Sequence, residues 1–223
     1  MKPSPKEMRA LAERDPRLGA AMKRLPPFPG FPTRDGVRSH YESLARAIVY
    51  QQLATRAAAT IHGRLCSLGS GGRFPRPPEL LCLSDERLRG AGLSRNKLAA
   101  LRDLAERVAD GRLPLARISR CDDEAITRKL TEVRGIGPWS AQMFLLFRLG
   151  RLDVMPATDL GIQEGMRRLD GMEQRPTPRD VLARAEVWRP LCSVASWTLW
   201  RLCDPAPRAT PVARSEARTR RQR

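Results

Sequence analysis

The apolar positions of the chain recur at spacings of three and four, the period of a helix packed on one face. Tyr41, Leu44, Ala45, Ile48 and Val49 share such a face, and the pattern runs on toward Leu53. Leu98, Leu101, Leu104, Ala105 and Val108 form a second stripe, and Ile126, Leu130 and Val133 a third. Leu160, Ile162, Met166 and Leu169 make a looser fourth. Helix starts are marked by side-chain oxygens able to accept free backbone N–H groups: Ser84 before Asp85 and Glu86, Asp122 before Asp123 and Glu124, Thr177 before Pro178. No period-two run of β-branched or aromatic residues suggests a strand. Pro26–Pro32 and Gly69–Pro78 read as loops, and no segment repeats. The pattern predicts an all-α bundle of about nine or ten helices.

Charge narrows the class of partner. The 41 Lys and Arg outweigh 24 Asp and Glu, for a net charge of +17, which attracts polyanions and nucleic acid above all. A basic tail from Arg208 to Arg223, with six Arg and one Glu, supplies five of these charges. It lacks apolar periodicity and is expected to be disordered. The rest are spread through the folded part, and no single helix is both strongly basic and strongly amphipathic, which favours nucleic acid over a membrane surface. No apolar run approaches the roughly 20 residues that span a bilayer, and Met1 to Lys6 leads into a polar helix, not a signal-peptide core. Cys66, Cys82, Cys121, Cys192 and Cys203 are odd in number and form no C-x-x-C pair. Neither a zinc site nor a disulfide framework is suggested, and a reducing cytoplasm is the expected compartment.

The most specific string is LTEVRGIGPWSAQMFLLFRL, Leu130 to Leu149. Two glycines, Gly135 and Gly137, flank Ile136, which allows a tight turn with positive φ and uncovered N–H groups. Pro138 presets the first turn of the following helix, whose free N–H groups and positive dipole end face the same spot. Such a spot binds phosphate without reading base sequence. Ile136 is expected to plug into the core and stiffen the hairpin. A G-x-G alone is equally an ordinary stop between two helices; the whole string is more specific. It resembles the helix-hairpin-helix motif of the base-excision DNA glycosylase superfamily that contains endonuclease III.

The resemblance covers roughly residues 40 to 203 and looks closest to the 3-methyladenine DNA glycosylase II branch, in its compact form without an N-terminal β domain. The other strings that carry it are AIVYQQLATRAAATIHGRL at 47–65, GLSRNKLAALRDLA at 92–105, DVMPATDLGIQEG at 153–165 and VWRPLCSVASWTLWRL at 187–202. It implies two helical lobes with a base-binding cleft between them. Residues from about 50 to 130 would form one lobe. The N-terminal helix with about 131–207 would form the other, and 208–223 the tail. The family often has an Arg where Cys192 stands, and that departure is expected to weaken a local salt bridge.

Bifunctional members place a lysine two residues after the second hairpin glycine; here that residue is Trp139, and an indole cannot form an imine. The resemblance therefore implies a monofunctional enzyme that leaves an abasic site. Only Cys192 and Cys203 lie where endonuclease III carries the four cysteines of its iron–sulfur cluster, so no cluster is expected. No catalytic metal or organic cofactor is implied. The family's hairpin carbonyls hold a monovalent cation, Na+ or K+; mapped here these belong to Thr131, Val133 and Ile136.

The same mapping assigns roles around a flipped base. Trp139, Trp200 and Met143 would line the pocket, where an electron-poor alkylated purine gains stacking and cation–π attraction from an indole. Trp188 and Trp197 read as core. Gly135, Ile136, Gly137 and Ser140 would contact the DNA backbone, Leu53 would fill the gap left by the base, and Gln52 would bond the orphaned partner. Taken alone, Leu53 is core. Asp159, after Pro156-Ala157-Thr158, is by itself a helix cap. In the resemblance it is the catalytic carboxylate, an anion where cleavage builds positive charge on the sugar. Asp153 reads as a loop or capping residue. The implied partner is damaged double-stranded DNA, bound by a monomer in the bacterial cytosol. A glycosylase for a deaminated or mismatched base, and a non-catalytic helix-hairpin-helix protein that reads DNA shape, are the alternatives. Neither the tryptophan cluster nor Asp159 is needed by the second.

Overall fold

Twelve α-helices and short helical turns build the described residues, 2–31 and 39–204, of this computed structural model, and no strand occurs among them. Pro32 and the tail from Arg208 to Arg223 lie outside the described residues. Among the described residues no helix is long and apolar enough to cross a membrane.

The helix count exceeds the expectation for two reasons. The N-terminal segment is two helices, α1 (Pro5–Arg14) and α2 (Pro16–Arg24), because the Asp15 carboxylate takes the Leu18 N–H at 3.0 Å and Pro16 opens a new first turn. The end of the expected loop at Gly69–Pro78 already starts α5 (Pro77–Cys82), followed by α6 (Asp85–Gly90) capped by Ser84.

Helices α3 (His40–Tyr50), α4 (Thr55–Cys66) and α7 (Arg95–Ala109) pack together, with α5 and α6 against α7. The predicted face of α3 is wholly buried, but α3 stops at Tyr50 and Leu53 stands 39% exposed in the turn beyond. The break has a cause. Lys97 Nζ donates to the carbonyls of Val49 at 2.8 Å and Gln51 at 2.7 Å, and Gln52 turns into the left-handed region at φ 54°. Burial lowers the Lys97 pKa.

Helix α8 (Asp123–Thr131) packs on α9 (Pro138–Met143), which runs into a π-helical turn, Phe144–Leu149, lying against α3. Helix α10 (Leu160–Asp170) packs along α12 (Cys192–Cys203), with α2 against both and α11 (Pro178–Ala185) against α10. The approach of α10 to α12 is close because Gly161 and Gly165 offer no Cβ. At Gly165 one would lie 2.3 Å from the Leu199 carbonyl oxygen. The fourth stripe needs one correction: Leu160 is 64% exposed, since it opens α10 ahead of the buried Ile162 and Met166. Cys192 is buried and Cys82 exposed, and all five cysteines are free thiols.

Candidate active site

The α8–α9 connection forms the tight turn its glycines suggest, with one difference. Gly135 alone has positive φ, 78°, while Gly137 sits at −96° as the N-cap of α9 with Pro138 at the first helical position. Ile136 is 4% exposed and its N–H donates to the Val133 carbonyl at 3.0 Å, which fixes the hairpin to the core. Two bonds anchor the turn to neighbours. The Arg134 N–H donates to Asp103 Oδ2 at 2.7 Å, and Gln51 Nε2 donates to the Gly135 carbonyl at 2.8 Å. The second bond ties the hairpin to the turn that carries Gln52 and Leu53.

Between these two turns lies a cleft of about 600 Å³ lined by Tyr50, Gln51, Gln52, Gly135, Trp139, Ser140 and Met143. A cavity of about 250 Å³ adjoins it past Tyr50 and Met143, with Arg46, Phe147 and Arg148 among its walls. Tyr50 was not singled out by sequence reasoning, although its ring lines both spaces and carries the Arg46 guanidinium 5.0 Å above its centroid. As the last residue of an apolar stripe it looks like core; only the end of α3 turns it toward the cleft.

Asp159 is the N-cap of α10, and its Oδ1 accepts the Ile162 N–H at 3.0 Å. That bond is what a simple cap would make. The other two are not. Oδ1 also accepts from Trp200 Nε1 at 2.9 Å, and Oδ2 accepts from Trp139 Nε1 at 2.8 Å. The two indoles expected as stacking surfaces thus present their N–H edges to the carboxylate. Trp200 does not line the larger cleft; it stacks on Phe147 with ring centroids 5.7 Å apart. No arginine or lysine forms an ion pair with Asp159 among the described residues. Three neutral donors hold the anion without cancelling its charge.

The remaining candidates separate cleanly. Trp188 is fully buried, and Trp197 packs against Phe28 and Phe31. Asp153 pairs with Arg189 at 3.0 Å and accepts the Cys192 N–H at 3.4 Å. Burial pushes the Cys192 thiol up, and the nearby Asp153 carboxylate adds to the shift. The Thr131, Val133 and Ile136 carbonyls flank the hairpin turn. That of Val133 already accepts one N–H, which leaves a second lone pair, and neutral oxygens suit a hard cation.

The profile described as HhH-GPD superfamily base excision DNA repair protein matches residues 45–190. The chain is 38% identical over 173 residues to DNA-3-methyladenine glycosylase 1 of Schizosaccharomyces pombe, covering 77% of this chain and 76% of that protein. Its fold is similar to the S. pombe 3-methyladenine DNA glycosylase solved in complex with abasic DNA, with TM-score 0.76 and 34% identity. That likeness covers 87% of this chain and 95% of the other. A DNA-3-methyladenine glycosidase from Bacillus halodurans superposes with TM-score 0.79 at 35% identity, covering 88% of each.

Proposed function

The chain belongs to the HhH-GPD superfamily of base excision DNA repair proteins, and on that premise we propose that it is a monofunctional DNA-3-methyladenine glycosylase of type II. It flips an alkylated purine out of duplex DNA and hydrolyses its N-glycosidic bond. The observation that carries this reading is Asp159: a half-buried carboxylate joined to the cleft-lining Trp139, bonded by two indoles and one backbone N–H, with no lysine or arginine paired to it among the described residues.

A methylated purine such as 3-methyladenine carries positive charge in the ring. When its C1′–N bond breaks, the electron pair stays with the base, which leaves neutral, and positive charge passes to the sugar. Asp159 faces that charge with a fixed anion, worth far more in a desolvated cleft than in water. Water then bonds to C1′ and gives its proton to Asp159 or to bulk solvent. With Trp139 in the lysine position no amine is available there for a Schiff base, so the product is an intact abasic site.

The exposed Leu53, on a turn braced by Lys97 and Gln51, is the wedge that replaces the flipped base, and Gln52 meets the orphaned partner. Met143 and Ser140 line the cleft with Trp139, which supports base-pocket and backbone-binding roles respectively. Gly135, Ile136 and Gly137 carry the phosphate contact, with Na+ or K+ on the Thr131, Val133 and Ile136 carbonyls supplying a bridge to phosphate when bound. Packing of α3, α4 and α7 apart from α2, α10 and α12 supports the two-lobe division. The protein acts as a monomer in the cytosol.

The test is base release from duplexes each carrying one 3-methyladenine, 7-methylguanine or hypoxanthine, with borohydride added during turnover. Release of methylated purine, an abasic product and no trapped adduct is the expected result. Efficient trapping at any lysine refutes the monofunctional reading. Release confined to hypoxanthine favours the deaminated-base alternative, and no release from any duplex favours the non-catalytic one.

A further inference from the structure

The two oxygens of Asp159 are not held alike. Oδ1 takes two bonds, from the Ile162 N–H and from Trp200 Nε1. Trp200 is half-buried, stacked on Phe147, and its edge fills the space left open by Gly161. A Cβ at 161 would lie 2.9 Å from Trp200 Cδ1 and 3.0 Å from Asp159 Oδ1, so any larger residue would push the indole off the carboxylate. Oδ2 takes one bond, from Trp139 Nε1. Trp139 is 44% exposed and lines the cleft.

We propose that Oδ1 is the held oxygen and Oδ2 the working oxygen, and that the Trp139 indole is a retractable occupant of Oδ2 that withdraws when a damaged nucleotide enters. The inference rests on reading Asp159 as the carboxylate that faces the sugar. While the cleft is open to water, the Trp139 N–H satisfies Oδ2 and fixes the carboxylate plane. An exposed side-chain hydrogen bond is cheap to exchange for another interaction. An arriving sugar that develops positive charge offers Oδ2 a better partner than a neutral N–H does. The freed indole stays beside the cleft, where its face can stack on the base. Trp200 and Gly161 are positioning residues: they act through Oδ1 and keep the carboxylate in place while Oδ2 changes partner.

Two readouts test this on the full chain. The first is the 15N–1H resonance of each tryptophan indole, with and without a duplex containing a cationic pyrrolidine mimic of the sugar ring. The Trp139 signal should shift on binding by more than that of Trp200. A Trp139 signal that stays fixed while DNA is bound overturns the proposal. The second is the excision rate at saturating enzyme in a single turnover. Trp200→Phe and Gly161→Ala should each lower it about tenfold or more, the size expected when a reacting group is slightly misplaced. Trp139→Phe, which keeps an aromatic face but loses the N–H and part of the ring area, should lower it clearly less than Trp200→Phe does. Equal losses for Trp139→Phe and Trp200→Phe would make both indoles fixed supports and overturn the latch. Should Asp159→Asn excise at the parental rate, the catalytic reading fails, and the resonances still decide the latch.

Discussion

Asp15 and Asp159 have nearly the same local description and opposite surroundings. Each caps a helix, and each accepts an indole N–H: Asp15 from Trp188 at 2.7 Å, Asp159 from Trp200 at 2.9 Å and Trp139 at 2.8 Å. The third partner differs. Asp15 is 4% exposed and meets Arg184 Nη2 at 2.5 Å, with Arg184 also bound to Asp170. A part-buried cation neutralises it, as a buried carboxylate requires. Among the described residues Asp159 meets only neutral donors, one of them the cleft-lining Trp139. The first is a strut that joins the N-terminal helices to α11 and the Trp188 turn. The second is an anion kept available.

The largest expected effect is on chemistry at Asp159. Asp159→Asn keeps the size and the capping oxygen, so melting should be little changed. The single-turnover excision rate should fall by about 10²–10³, the usual loss for one preorganised electrostatic partner. Asp15→Ala should do the reverse. It removes a cap, leaves the Trp188 N–H without its acceptor and leaves Arg184 with Asp170 alone, at a cost of about 2–3 kcal/mol. For a chain of this size that lowers the melting temperature by about 4–10 °C, with the excision rate of the folded enzyme unchanged. A loss of rate in Asp15→Ala at full stability would erase the distinction.

The strut also has a pH signature. Burial pushes the Asp15 carboxyl up, but the Leu18 N–H, the Trp188 indole and Arg184 outweigh it and hold the pKa below the usual carboxylate range. A depressed folded pKa means the stabilisation is present above the unfolded value of about 4 and is lost as pH falls below it. The stability gap between the parent and Asp15→Ala should therefore be constant near neutrality and shrink below about pH 4. Denaturant melts across that range measure it. A gap that widens on acidification would mean the carboxyl is protonated in the fold.

Leu53→Ala is the mildest change for the fold. An exposed side chain contributes little to stability, within about 0.5 kcal/mol. Excision from fully paired duplex should slow several-fold, and excision from a lesion in a bulge should slow less, because unstacking is already met there. Equal slowing on both substrates would return Leu53 to a packing role.

Much of this was legible along the chain because it is local. The stripe Tyr41–Val49, the caps at Ser84, Asp122 and Thr177, and the Gly135–Pro138 turn depend on residues a few positions apart. The helix break after Tyr50 was not, because it depends on Lys97, 48 residues beyond the Val49 carbonyl it holds. Asp15 was overlooked for the same reason, since Trp188 lies 173 residues away. At Asp159 the position was legible through resemblance, and its N-cap character through the residues around it. The orientation of the indoles was not: composition indicates that aromatic rings are near, and only packing decides whether a face or an N–H edge meets the carboxylate.

In the proposed mechanism Asp159 stabilises positive charge on the sugar. The most direct measurement compares binding of two duplexes that differ only in one sugar: a cationic pyrrolidine mimic of the ring and a neutral tetrahydrofuran. The parent should prefer the cationic duplex by about 10²-fold or more, the lower end for transition-state mimics. Asp159→Asn should bring the ratio of the two Kd values close to one while the tetrahydrofuran affinity is kept. An equal affinity for both duplexes in the parent, or a preference that survives in Asp159→Asn, would contradict the account.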